Sequence, residues 1–137
     1  MQDAPDRETL LAELARFLGE QVVPALRDPG LAFRVRVAAF LAEVVARECA
    51  HEEDHDAAEL ERLCALLGES GEQPEGRTAR REAINALDAR LVTALRAEPP
   101  AIDLDTTRAA LMAILRDRLA VVQPRFDPSI DLGEGEP

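Results

Sequence analysis

Apolar residues in this chain recur at three- and four-residue spacing, and nowhere do they alternate with polar ones. That periodicity matches the α-helix and leaves no segment that reads as a strand. Leu10, Leu14, Phe17, Leu18 and Val22 form one such stripe, opened by Asp6 as a helix cap and Glu8 in the first turn. Pro24 removes a backbone donor inside the apolar run, so it is expected to kink or end this first helix. "RDPG", residues 27–30, is a turn.

A second helix is predicted from about Leu31 to about Cys49, with Phe33, Val37, Leu41, Val44 and Val45 on one side and Ala38, Ala39 and Ala42 widening it. So broad an apolar surface suits a central helix or one used in a subunit contact. A third, Ala57 to Leu67, turns Leu60, Leu63, Cys64 and Leu67 inward and stops at Gly68. "GESGEQPEG", residues 68–76, reads as a flexible loop. The fourth, roughly Thr78 to Ala97, presents Ile84, Leu87, Leu91 and Leu95 before Pro99 and Pro100. The fifth starts near Asp105 as its cap, buries Leu111, Ile114, Leu115, Leu119 and Val122, and stops at Pro124. The expected fold is all-α: a single-domain bundle of about five amphipathic helices over residues 1–126, with Leu41 and Leu115 in its core. Residues 127–137 are expected to be a disordered acidic tail.

Composition agrees. The 137 residues are 47% hydrophobic, built from Ala, Leu and Val, with four Phe and no Trp or Tyr. All 16 basic residues are Arg. The net charge of −11 argues against nucleic acid and against an anionic membrane surface. The opening "MQDAPDRE" has no basic or apolar targeting pattern, and no apolar run reaches the roughly 20 residues of a spanning helix. Cys49 and Cys64 read as two buried free thiols in a reducing cytoplasm.

His51-Glu52-Glu53-Asp54-His55 fits His-Glu-x-x-His, a pattern that on a helix holds zinc and supplies a general base. Three features argue against a metal centre. The intervening Glu53 and Asp54 are charged where a zincin helix packs on its core. Asp56 followed by Glu59 resembles a capping box, which places both His in a turn. There is no third His in the chain. No catalytic residue, metal site or cofactor is therefore expected. Ser70 and Ser129 lie in stretches too flexible to hold a nucleophile.

Two charge patterns remain. Arg34, Arg36, Arg116, Arg118 and Arg125 could meet as an anion site, or be surface arginines paired with acids such as Glu43 and Asp117; the second is the expectation. Residues 43–61 carry eight acids against Arg47, whereas residues 77–96 carry Arg77, Arg80, Arg81, Arg90 and Arg96 against Glu82 and Asp88. Such faces can meet within the monomer, across a dimer or on a partner.

The stretches "PDRETLLAELARFLGEQVVPAL", "LAFRVRVAAFLAEVVARE" and "RDRLAVVQPRF" resemble a family of short bacterial all-helical proteins catalogued as a domain of unknown function. Its members are typically encoded beside aminoglycoside-phosphotransferase-like kinases and acyl-CoA dehydrogenases. Phe40 stands where that pattern usually has Asn, Arg34 where His is common, and Gln123 where Asn precedes Pro124. The resemblance implies a genomic neighbourhood and not a chemistry; the expectation is a non-enzymatic accessory protein that partners a kinase-like protein in acyl-CoA or small-acid metabolism. The alternative is a bundle holding an acyl chain or acyl-CoA between its helices. The breadth of the second helix further predicts a homodimer, with the acidic and basic stretches as complementary charge.

Overall fold

The computed structural model describes residues 5–70 and 73–126, and all regular structure among them is helical. Four helices are present there rather than five. The first, α1, runs Arg7–Phe17, continues through a π turn at Leu18–Val22 and closes with Val23–Ala25. It is followed by α2 (Pro29–Leu67), α3 (Arg77–Arg96) and α4 (Leu104–Val122). The expected acidic tail lies outside the described residues. Two compact units divide the chain, Met1–Glu52 and Glu53–Pro137, and α2 contributes its first part to one and its remainder to the other.

The first unit is a helical hairpin. Asp6 caps α1 by accepting a 2.9 Å hydrogen bond from the Thr9 amide. Pro24 cannot donate, and the ladder accommodates it by widening: the Val23 amide reaches back five residues to the Leu18 carbonyl. The helix ends one residue past Pro24. In the following turn Asp28 accepts from the amides of Gly30 (2.8 Å) and Leu31 (3.3 Å), so α2 starts at Pro29. Arg7 at the start of α1 reaches Glu52 at 3.4 Å, so the two helices run antiparallel.

Among the described residues of this unit the buried apolar ones are all alanines: Ala15, Ala32, Ala39 and Ala46. That reverses the expected faces. Leu10, Leu14 and Phe17 on α1, and Phe33, Val37, Leu41 and Val45 on α2, are exposed, while Val44, Leu18 and Val22 are half-buried. The physical reason is that the first part of α2 is apolar on both sides. Its small side, Ala32–Ala39–Ala46 at seven-residue spacing, admits a close helix neighbour, and its large side is left facing out.

The predicted break at residues 50–56 does not occur. "ECAHEEDHDA" contains neither Pro nor Gly, and α2 passes through it without interruption. Asp56 does not cap; it is buried in mid-helix and receives Arg81 of α3. The end at Gly68 is as expected. Gly68 has φ 68°, its amide donates to Ala65 O at 3.3 Å, and the Glu69 amide donates to Cys64 O at 2.9 Å. This paired arrangement satisfies the last carbonyls and needs a residue at ease in the left-handed region.

The second unit holds the large-residue core. Leu60, Leu63 and Cys64 of α2, Ile84, Leu87 and Leu91 of α3, and Ile114 of α4 pack together, with Leu67, Leu95, Ile102 and Leu111 against them. Leu63 is fully buried. These match the predicted inner faces of the third and fourth segments. The α4 cap is Asp103, not Asp105: its carboxylate accepts from the Thr106 amide at 2.7 Å, and Thr107 closes the turn on the Asp103 carbonyl. Starting two residues earlier, α4 buries Thr107, Ile114 and Val121, and leaves Leu115 and Val122 about half exposed.

Candidate interaction surface

Because α2 is continuous, His51 and His55 sit one turn apart on the same helix rather than in a loop. His51 is exposed and His55 half-buried, and both are engaged by other groups of the chain. Glu52, the position of a general base in the His-Glu-x-x-His pattern, is instead turned inward with its side chain 5% exposed and bound to Arg7. Among the described residues no group of three or more His, Cys, Asp or Glu is placed to hold a metal ion. Cys49 is half-buried and Cys64 buried, both as free thiols.

The opposite charge blocks meet inside the second unit. Arg80 donates to Glu53 at 3.2 Å and Arg81 Nε to Asp56 at 2.9 Å, joining α3 to α2. Arg118 of α4 pairs with the buried Glu59, and Arg62 of α2 pairs with Asp117 at 2.6 Å. Arg90 pairs with Glu69 beyond the end of α2. These contacts spend within the monomer the complementary charge that a dimer was expected to use.

The arginine cluster is likewise divided. Arg34 and Arg36 belong to the first unit, where neither has an ion-pair partner among the described residues, and Arg116, Arg118 and Arg125 belong to the second. Asp117 takes Arg62, and Glu43 takes Arg47 at 2.9 Å, so neither serves the arginines proposed for it.

The outer surface of the first unit is the most unusual feature. At about 100° per residue, Phe33, Val37, Phe40, Leu41, Val44 and Val45 span about 140° of the circumference of α2. Phe33 is 63% exposed and Leu41 55%. On α1, Leu10, Leu14 and Phe17 form a second exposed stripe at i, i+4, i+7. Isolated surface leucines are ordinary, whereas two stripes of large apolar residues on one hairpin exceed what solvation favours. The sequence shows the breadth of α2 and leaves it open between a central helix and a subunit contact, but the expectation places the α1 stripe and Leu41 inward. The signal that separates the two sides is the seven-residue alanine repeat.

A groove of about 630 Å³ also opens in this unit. It is lined by Ala12, Ala15, Gly19, Val23, Ala39 and Phe40 together with the charged Arg16, Glu20 and Glu43. Arg36 also lines it. A Cβ placed on Gly19 would meet no atom within 4 Å, so the groove is open above the π turn.

No described helix is long and apolar enough to cross a membrane. Residues 24–126 match the family model described as Domain of unknown function (DUF6285). No curated protein and no solved structure matches the chain.

Proposed function

The chain belongs to the DUF6285 family, a domain of unknown function, and from that premise we propose that it is a non-enzymatic helical accessory protein of the cytoplasm that works by docking partners on the first unit. The observation that carries this reading is the inversion of the hairpin. Its helices meet on alanines while Leu10, Leu14, Phe17, Phe33, Phe40 and Leu41 face outward. A hairpin whose large side chains lie outside buries little apolar area on its own, and a partner supplies the missing burial. The net charge of −11 favours protein partners over nucleic acid. The partner class suggested by the family resemblance is a phosphotransferase-like kinase acting in acyl-CoA or small-acid metabolism. Affinity capture from the native host, with wild type and Leu14→Asp in parallel, tests it. A kinase-like protein recovered with wild type and lost with Leu14→Asp is the expected result. Equal recovery with both would remove α1 from the docking surface.

A second reading, an acyl chain or acyl-CoA bound between helices, is supported by the groove over Gly19. Its size suits a small-molecule site, Ala12, Ala15, Val23, Ala39 and Phe40 give it apolar lining beside Arg16, Glu20 and Glu43, and Arg36 offers a cation without an ion-pair partner among the described residues. Titration with a long-chain fatty acid and its CoA ester tests this reading. Gly19→Phe fills the open space without meeting another atom at its Cβ, and should abolish saturable binding.

A further inference from the structure

We infer, resting on the second reading above that the groove over Gly19 is a ligand site, that this groove takes a free carboxylic acid with an apolar chain of medium length. Its carboxylate sits at Arg36, and the CoA ester of the same acid is not the ligand.

Register orders the groove along its length. Arg7 meets Glu52 at 3.4 Å and the two helices run antiparallel, so Arg16 comes beside Glu43, Gly19 beside Phe40, and Val23 beside Arg36. The same residues line the groove. Arg36 therefore stands at the end near the turn at residues 26–28, and Glu43 towards the other end. Gly19, Ala39 and Phe40 lie between them.

Charge selects the ligand class. Arg16 pairs with Glu13 and, at 3.8 Å, with Glu20, while Glu43 pairs with Arg47 at 2.9 Å. Arg36 is exposed, and it is the charged residue of the lining left without an ion-pair partner among the described residues. The groove thus offers one uncompensated positive charge at one end of an apolar strip. A single carboxylate matches it, because guanidinium and carboxylate share a planar, two-pronged hydrogen-bonding geometry. A CoA ester does not. It has no free carboxylate, and its phosphate groups would bring several negative charges towards Glu20 and Glu43 on a chain of net charge −11.

Length sets the chain. Arg36 and Glu43 are seven residues apart on α2, about 10 Å at ~1.5 Å per residue. That is the reach of a medium-length acyl chain. Carbon beyond it would pass the Glu43–Arg47 pair and gain little further burial.

Isothermal titration calorimetry of the full chain with octanoate, octanol and octanoyl-CoA is the experiment. Octanoate should bind saturably, and octanol and octanoyl-CoA about tenfold more weakly or not at all. Arg36→Gln should reduce octanoate to the level of octanol. Arg34→Gln, at an exposed arginine that does not line the groove, should leave octanoate binding unchanged. Both positions are exposed, so the helical circular dichroism of both variants should match wild type. Octanoyl-CoA binding as tightly as octanoate, or octanoate binding that survives Arg36→Gln, overturns the free acid held at Arg36. If Gly19→Phe abolishes that binding all the same, the groove still stands as a ligand site. Absence of saturable binding by all three compounds overturns both.

Discussion

The Asp56 carboxylate, 7% exposed, accepts a 2.9 Å hydrogen bond from Nε of Arg81, whose side chain is 46% exposed. The two ends of this pair are unequal, because one sits in the interior and the other has access to water. Removing the exposed end strands a buried charge, whereas removing the buried end leaves a cation that water can solvate. Arg81→Ala is therefore expected to cost about 2–3 kcal/mol, and Asp56→Ala about 1 kcal/mol. Urea unfolding of both variants measures the difference, and equal costs would contradict the asymmetry.

The core of the second unit gives a sharper contrast. Leu63 is fully buried among Ile84, Leu87 and Leu91, so Leu63→Ala should lose roughly 2–5 kcal/mol. Leu115 is 49% exposed, and Leu115→Ala should cost less than about 1 kcal/mol. The same denaturation measurement ranks them; a Leu115 loss as large as that at Leu63 would mean that α4 presents a different face.

Continuity of α2 can be tested at Asp54, which is exposed and makes its contribution through the backbone. In an inter-helix turn, proline at this position would be tolerated. Within a continuous helix Asp54→Pro removes a hydrogen bond and clashes with the preceding turn, at a cost of about 3 kcal/mol or more. Unfolding of the variant decides between the two, and a near-neutral result would restore the break.

Acid sensitivity should appear at the helix starts. Hydrogen bonds from Thr9 hold the Asp6 carboxyl below the usual carboxylate range, and those from Thr106 do the same for Asp103. A carboxyl whose pKa is lower in the folded state stabilises fully above its unfolded pKa, about 3.9 for Asp. That contribution is lost as pH falls below this value through the folded pKa. Asp103→Asn keeps an acceptor for the Thr106 amide but does not titrate. Its thermal midpoint should therefore fall less steeply than that of wild type between pH 4 and lower pH. Parallel slopes would show that the cap carries no such linkage.

Much of this architecture was legible beforehand. Helical class followed from three- and four-residue spacing, and the inner faces at Leu60–Leu63–Cys64 and Ile84–Leu87–Leu91 followed from stripes with a polar opposite side. In such segments only one face can be buried, so periodicity alone selects it. The ends at Gly68 and before Pro124 were legible because backbone chemistry, not packing, sets them.

Three matters were decided by tertiary structure. On the first part of α2 both sides are apolar, so hydropathy could not choose between Ala32–Ala39–Ala46 and Phe33–Val37–Leu41; close helix approach chose the alanines. The Asp56–Glu59 spacing is compatible with a cap or with two mid-helix carboxylates. Arg81 and Arg118, 25 and 59 residues further along, determined the outcome by supplying partners. The opposite charge blocks were equally visible in one dimension, yet only the packing of α3 on α2 brings Arg80 to Glu53 and commits them within one chain. Local spacing specifies what a segment can become, and the groups that satisfy it are distant in sequence.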